Sequence, residues 1–300
     1  MSLLFDVDGE NMDQGFVNLR ARASQPEQEL HDFAQQLWEA YEPYADHNFR
    51  MGFARDVDGR FWEMYLGCLF LEAGYSLLQT SERLAEGGQP DLCILDGERR
   101  IWIEAIAPSS GAPGPDGVVG PQPINEGGGL APSPRRQAQL RATSALLTKS
   151  RAIDRYLAEG LIADTEVRII AISASRFGIY VTEHPQPLIL SALFPFGEEF
   201  VTVNRDTGQI AEEGFHLSLE IQRERGSVPR TAFLDEQFSN VSGVVWSRLS
   251  IGNTNRGQRP ITYVHNPMAL APNELGWGPW DREFLAELGD ENITVGDIRK

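Results

Sequence analysis

The 300-residue chain is 41% hydrophobic and 9% aromatic, enough for a packed core, and carries a formal charge of −17. That charge argues against a protein that coats nucleic acid through bulk electrostatics, while leaving room for a local basic cleft. The opening, MSLLFDVDGENMDQ, lacks a basic n-region, and no apolar run approaches the ~20 residues that span a bilayer, so the expectation is a soluble, cytoplasmic protein with no membrane partner.

The spacing of Leu30, Phe33, Leu37 and Tyr41 predicts an amphipathic helix ending near Pro43. RFWEMYLGCLFLEAG, residues 60 to 74, reads as a second helix, apolar on most faces and therefore buried, stopped by Gly74. Three short strand-like runs follow, YSLLQT, DLCILD and RRIWIEAIA, and suggest an antiparallel meander with a six-residue turn before the third. Residues 108 to 134 hold too much Pro and Gly for helix or strand and are expected to form a loop that acts as a flap. A long helix from about Arg135 to Leu157 and a buried strand in EVRIIAISAS complete the series. Beyond residue 175 the pattern predicts more α/β material, with strands in FSNVSGVVWSRLS and ITYVHNPMAL and a closing helix from WDREFLAEL. His265 and Asn266 in the second of these are expected to close a turn. The division expected is an N-terminal helical extension (1–50), a core (51–175) and a C-terminal elaboration (176–300), together one elaborated α/β domain with a mixed central sheet. Cys68 and Cys93 have no metal-ligand or CxxC spacing and read as buried, reduced thiols.

Glu104 raises a question of chemistry, because it interrupts the apolar run of RRIWIEAIA. A carboxylate on a buried strand is costly unless a partner, a proton or a metal compensates it. Alternation places Trp102, Glu104 and Ile106 on one face of the strand and Ile103 and Ala105 on the other. Asp91 opens the preceding strand, so antiparallel pairing can bring it to Glu104, and two carboxylates at one point suit Mg²⁺ or Mn²⁺. Glu63, near the start of the apolar helix, is a third candidate.

Pro90 and Asp91, followed thirteen positions after the aspartate by EAI, with a Glu-bearing helix before and a long helix and strand after, resemble the PD-(D/E)xK nuclease superfamily over residues 60 to 175. The resemblance implies a restriction-endonuclease-like core of helix, three-stranded meander, helix and strand. It also implies divalent-metal-dependent hydrolysis of nucleic acid, DNA by default, with Asp91, Glu104, the adjacent Ala105 and Glu63 at the metal and Glu63, Asp91 and Glu104 as catalytic acids. The family's water-activating lysine falls two residues after the second acid, and here that position is Ile106.

Lys149 is the expected replacement. The only other lysine is Lys300, so arginine supplies nearly every cation, and the helical wheel centres Lys149 in a stripe of Ala138, Ala142, Ala145, Leu146, Ala152, Ile153, Tyr156 and Leu157. Arg135, Arg136 and Arg141 at the start of the same helix are candidate phosphate contacts. Two alternatives stand beside the nuclease. One is a catalytically inactive nuclease-like module that binds nucleic acid or a protein partner. The other is a haloacid-dehalogenase-type phosphatase, which LLFDVDGE resembles, with Asp6 as nucleophile, Asp8 as acid/base and Ser173 as a second motif. The oligomeric state is left open, a dimer being possible.

Overall fold

The computed structural model describes residues 2–83, 88–118, 133–178, 183, 186–254, 256–289 and 293–299. Four helices come first: α1 (Gln14–Ala21), α2 (Gln25–Tyr41), α3 (Phe49–Arg55) and α4 (Val57–Glu72). The strands β1 (Ser76–Leu77), β2 (Leu92–Asp96) and β3 (Arg99–Ile106) lead to α5 (Arg135–Ala158) and β4 (Val167–Ser173). A short α6 (Leu190–Leu193) precedes two hairpins, β5 (Phe196–Val203) with β6 (Ile210–Leu217) and β7 (Glu220–Gln222) with β8 (Ser227–Pro229). Finally come β9 (Gly243–Ser247), β10 (Thr262–His265), β11 (Arg282–Leu288) and β12 (Ile293–Asp297). Among the described residues no helix is long and apolar enough to cross a membrane.

The protein is a mixed α/β structure with N-terminal helices and an eight-stranded mixed sheet in the order β1-β2-β3-β4-β9-β10-β11-β12. The first three strands form the expected antiparallel meander, and β3, β4 and β9 run parallel to one another. Alternation along β3 divides its side chains as expected. Ile101, Ile103 and Ala105 join the core with α1 to α4, whereas Trp102 joins the core beneath α5 and α6. The sheet is therefore covered on both faces, which explains why β4 is buried at every position.

Local sequence accounts for the first helices. Ser24 accepts from the Glu27 N–H at 3.4 Å while the Glu27 carboxylate accepts from the Ser24 N–H at 3.0 Å, a capping box that starts α2. Asp56 caps α4 through the Gly59 N–H at 2.9 Å. At Gly67 a Cβ would lie 2.5 Å from the Tyr41 ring, so glycine lets the end of α2 press directly on α4.

Particular elements depart from expectation. The turn between β2 and β3 is the tight Gly97-Glu98 pair, with Gly97 at φ +62°, not six residues. The segment expected as a closing helix is β11, parallel to β10 and antiparallel to β12. Its Glu, Leu and Ala are good helix formers, but Phe284 and Ala286 alternate into the α5-side core and Glu283 is fully buried against His265 and Arg299, so tertiary pairing overrides propensity. The β5–β6 hairpin adds to the expected elements, although Asn204, whose side chain accepts from the Asp206 and Thr207 N–H groups, and Gly208 at φ +67° make a recognisable turn. His265 lies in β10, and Asn266 closes the turn after it by donating to the Phe238 and Val241 carbonyls and accepting from the Met268 N–H. Cys68 and Cys93 are free and buried, with burial pushing both thiols up to about 12.

Candidate active site

The meander and α5 bring Asp91, Glu104 and Lys149 together. Asp91 stands just before β2, where its carboxylate accepts from the Ala105 N–H at 2.7 Å, so the backbone next to Glu104 orients the first acid. Glu104 projects from β3 toward α5 and is 3% exposed. The Tyr156 hydroxyl donates to its Oε1 at 2.6 Å, and the Lys149 ammonium makes a short contact with its Oε2. The Lys149 Nζ is also 3.6 Å from Asp91 Oδ2. Lys149 thus sits where the helical wheel placed it, facing the sheet from within a stripe of small and apolar residues. Ile106, at the family's lysine position, shares a face with Glu104 and packs against the same core.

Electrostatics follow from burial. Desolvation, reinforced by the charge of Asp91, pushes the Glu104 carboxyl up to about 7, against the pull of Lys149 and the Tyr156 hydrogen bond. Burial opposes the charge on Lys149, but Asp91 and Glu104 together outweigh it and hold the ammonium above its ordinary range. Tyr156 is shifted upward by burial and by Glu104, so it remains a protonated donor.

Glu63 is held in a network that adjoins Asp91. It is 4% exposed; its Oε1 accepts from the Tyr41 hydroxyl at 2.9 Å and its Oε2 from Arg60 at 2.8 Å, while Arg60 also reaches Asp46 at 2.8 Å. Burial first, then the charge of Asp91, lifts the Glu63 carboxyl to about 8. Among the described residues, no three His, Cys, Asp or Glu side chains are grouped so as to hold a metal ion. Tyr156 and Tyr41 are the polar partners that sequence reasoning missed. Tyr156 was legible as a core residue two turns from Lys149 on the same helical face, and that spacing was the available signal.

The other candidates are dispersed. Arg136 pairs with Asp116 at 2.6 Å and Arg141 donates to the Ser109 carbonyl at 2.9 Å, so both fasten the described start of the long loop to α5. The rest of that loop, and with it the expected flap, lies outside the described residues. Arg135 lines a separate cleft. Residues 3 to 10 form no strand. Asp8 is an exposed partner of Arg20 at 3.0 Å, the Asp6 N–H donates to Leu3 in a turn, and Ser173 is buried in β4 with its hydroxyl on the Leu249 carbonyl. The second DVDG, at 56 to 59, is the α4 cap, whose Asp56 and Asp58 bind Arg176. Comparison of the chain with protein-family models, with curated proteins and with solved structures finds no match.

Proposed function

We propose that this chain is a divalent-metal-dependent nuclease with a restriction-endonuclease-like core, acting on nucleic acid and on DNA by default. The observation that carries the reading is the placement of Lys149, whose ammonium reaches the sheet face shared by Glu104 and Ile106 and touches the carboxylates of both Asp91 and Glu104. A lysine supplied by α5 can occupy the space that a lysine at 106 would reach from β3.

The donor set fits a hard cation. Asp91 and Glu104 offer two carboxylates on neighbouring strand ends, and Mg²⁺ or Mn²⁺ takes one or two of these with waters and substrate oxygens. Ala105 could add only its carbonyl oxygen. When bound, such an ion supplies Lewis acidity toward a phosphoryl oxygen and makes a coordinated water more acidic. The residues of the chain supply the rest. Asp91 is oriented by the Ala105 N–H, Glu104 by Tyr156, and Lys149 places a compact cation beside both, where it can hold a water and offset negative charge developing on the phosphate. Glu63, whose carboxylate accepts from Tyr41 and Arg60, ties α4 to the end of α2 and adds negative potential beside Asp91.

A second reading, an inactive nuclease-like binding module, is favoured by one feature: both Glu104 oxygens already have protein partners. Incubation of the protein with single- and double-stranded DNA and RNA in Mg²⁺ or Mn²⁺, alongside calorimetric metal titration, separates the two. Metal-dependent cleavage supports the enzyme. Failure to cut any substrate, with no metal uptake, rejects it.

A further inference from the structure

About 21 Å along α5 from Lys149, at 1.5 Å per residue, Arg135 lines a cleft of about 720 Å³ between the start of the helix and the two hairpins. Gln139, Gly197, His216, Ile221 and Arg230 contribute to its walls.

Arg230 is 7% exposed, yet its guanidinium is poorly satisfied. One N–H group donates to the Phe196 carbonyl at 2.7 Å, and the buried Nε has no partner among the described residues. Arg168 shows what a saturated buried arginine looks like in the same protein. It is 1% exposed and donates to the carbonyls of Asn240, Ala163 and Asp164. Among the described residues no carboxylate pairs with Arg230; burial and then repulsion from Arg135 both push its pKa down. A buried guanidinium short of acceptors and beside a second cation is an unfavourable arrangement unless an anion completes it.

The helix end points the same way. α5 begins after Pro134 with no side-chain cap and no acid in its first turn, so the partial positive charge of its N-terminus is unanswered by the helix itself. Glu198, Glu199 and Glu220 also border the cleft, and Glu183 and Glu199 favour the charge on Arg135 against its burial; the three bordering acids are exposed to solvent, where water and salt screen them more than the buried Arg230.

We propose that this cleft binds a terminal phosphate, a phosphate monoester, between the guanidiniums of Arg135 and Arg230 at the N-terminus of α5. A monoester carries nearly two charges near neutral pH and three acceptor oxygens, which match two planar guanidiniums and free backbone N–H groups better than a singly charged diester does. A free nucleoside monophosphate and the phosphorylated end of a nucleic-acid strand present the same chemistry, and the volume accommodates a mononucleotide. Such binding requires no cleavage at Glu104.

The test is binding by the full chain in EDTA, where metal-dependent cutting is absent. The probes are inorganic phosphate, deoxyadenosine 5′-monophosphate, and one single-stranded oligonucleotide with either a 5′-phosphate or a 5′-hydroxyl. The expected result is saturable binding of phosphate-bearing probes, weakened about tenfold or more in Arg135→Gln, with the 5′-hydroxyl strand bound more weakly than its phosphorylated form. Arg230→Lys, which keeps a cation and a donor for Phe196, should weaken binding while retaining the melting temperature. Affinity for the monophosphate assigns a free nucleotide; affinity for the phosphorylated strand alone assigns a strand end. Absence of binding by every phosphate probe, equal binding of the two strands, or binding unaffected by Arg135→Gln would overturn the proposal.

Discussion

Lys149 on α5 holds the Glu104 carboxylate of β3 in a direct ion pair and lies 3.6 Å from Asp91, so one ammonium serves two acids. Its side chain is 19% exposed and that of Glu104 3%. Removing the cation therefore strands a buried acid, and breaking such a pair costs about 3–5 kcal/mol. Glu104 can escape that cost by taking a proton. Lys149→Met should accordingly destabilise the protein much more at pH 8.5 than at pH 5, as read from urea midpoints at the two values. Equal loss at both would mean that the lysine contributes by packing alone.

Glu104 also couples stability to pH in the parent protein. A carboxyl whose folded pKa lies near 7 against an ordinary 4.5 binds more protons in the folded state between those values. Its contribution to stability is complete below pH 4.5 and is lost as pH rises through about 7. In metal-free buffer, the stability of the parent relative to Glu104→Gln should fall across that window. A difference that stays flat or grows with pH would show that Lys149 dominates and that Glu104 is ionised throughout.

Metal affinity should follow the same titration in the opposite sense, because ligands must be ionised to bind. Calorimetry with Mn²⁺ is expected to show tighter binding at pH 8.5 than at pH 6, abolished by Asp91→Asn and by Glu104→Gln. Glu63→Gln should leave the affinity near that of the parent, since the Glu63 oxygens are held by Tyr41 and Arg60. Complete loss of binding in Glu63→Gln would instead place it at the metal.

Much of this arrangement was written in local sequence. The meander, the alternation that turns Glu104 toward α5, and the wheel position of Lys149 each follow from a period of 2 or 3.6 residues. The partners of Glu63 were not legible, because Tyr41 reaches it only through the close approach of α2 and α4 at Gly67, a contact between distant segments. β11 was misread for a related reason: REFLAEL has helical composition, and only its neighbours β10 and β12 make it a strand. The partners of Arg136 and Arg141, Asp116 and Ser109, were not legible either, because they lie in a loop whose path the local sequence does not fix.

The C-terminal strands can be probed independently of the site. Glu283 is fully buried and accepts from His265, from the Gly276 N–H at 2.8 Å and from Arg299 at 2.7 Å, tying the end of the chain to β11. Glu283→Ala should cost about 3–5 kcal/mol in equilibrium unfolding, leaving Arg299 without its carboxylate. A loss below 1 kcal/mol would show that solvent replaces the network.

Whether Lys149 supplies the cation absent at position 106 is decided by single-turnover cleavage of DNA in Mn²⁺ with four proteins: the parent, Lys149→Arg, Lys149→Ala, and Lys149→Ala combined with Ile106→Lys. If it does, the parent cleaves, Lys149→Arg and Lys149→Ala lose about 10²-fold or more despite parental melting of the arginine variant, and the double variant partly recovers. Cleavage by Lys149→Arg at the parental rate would show that it does not.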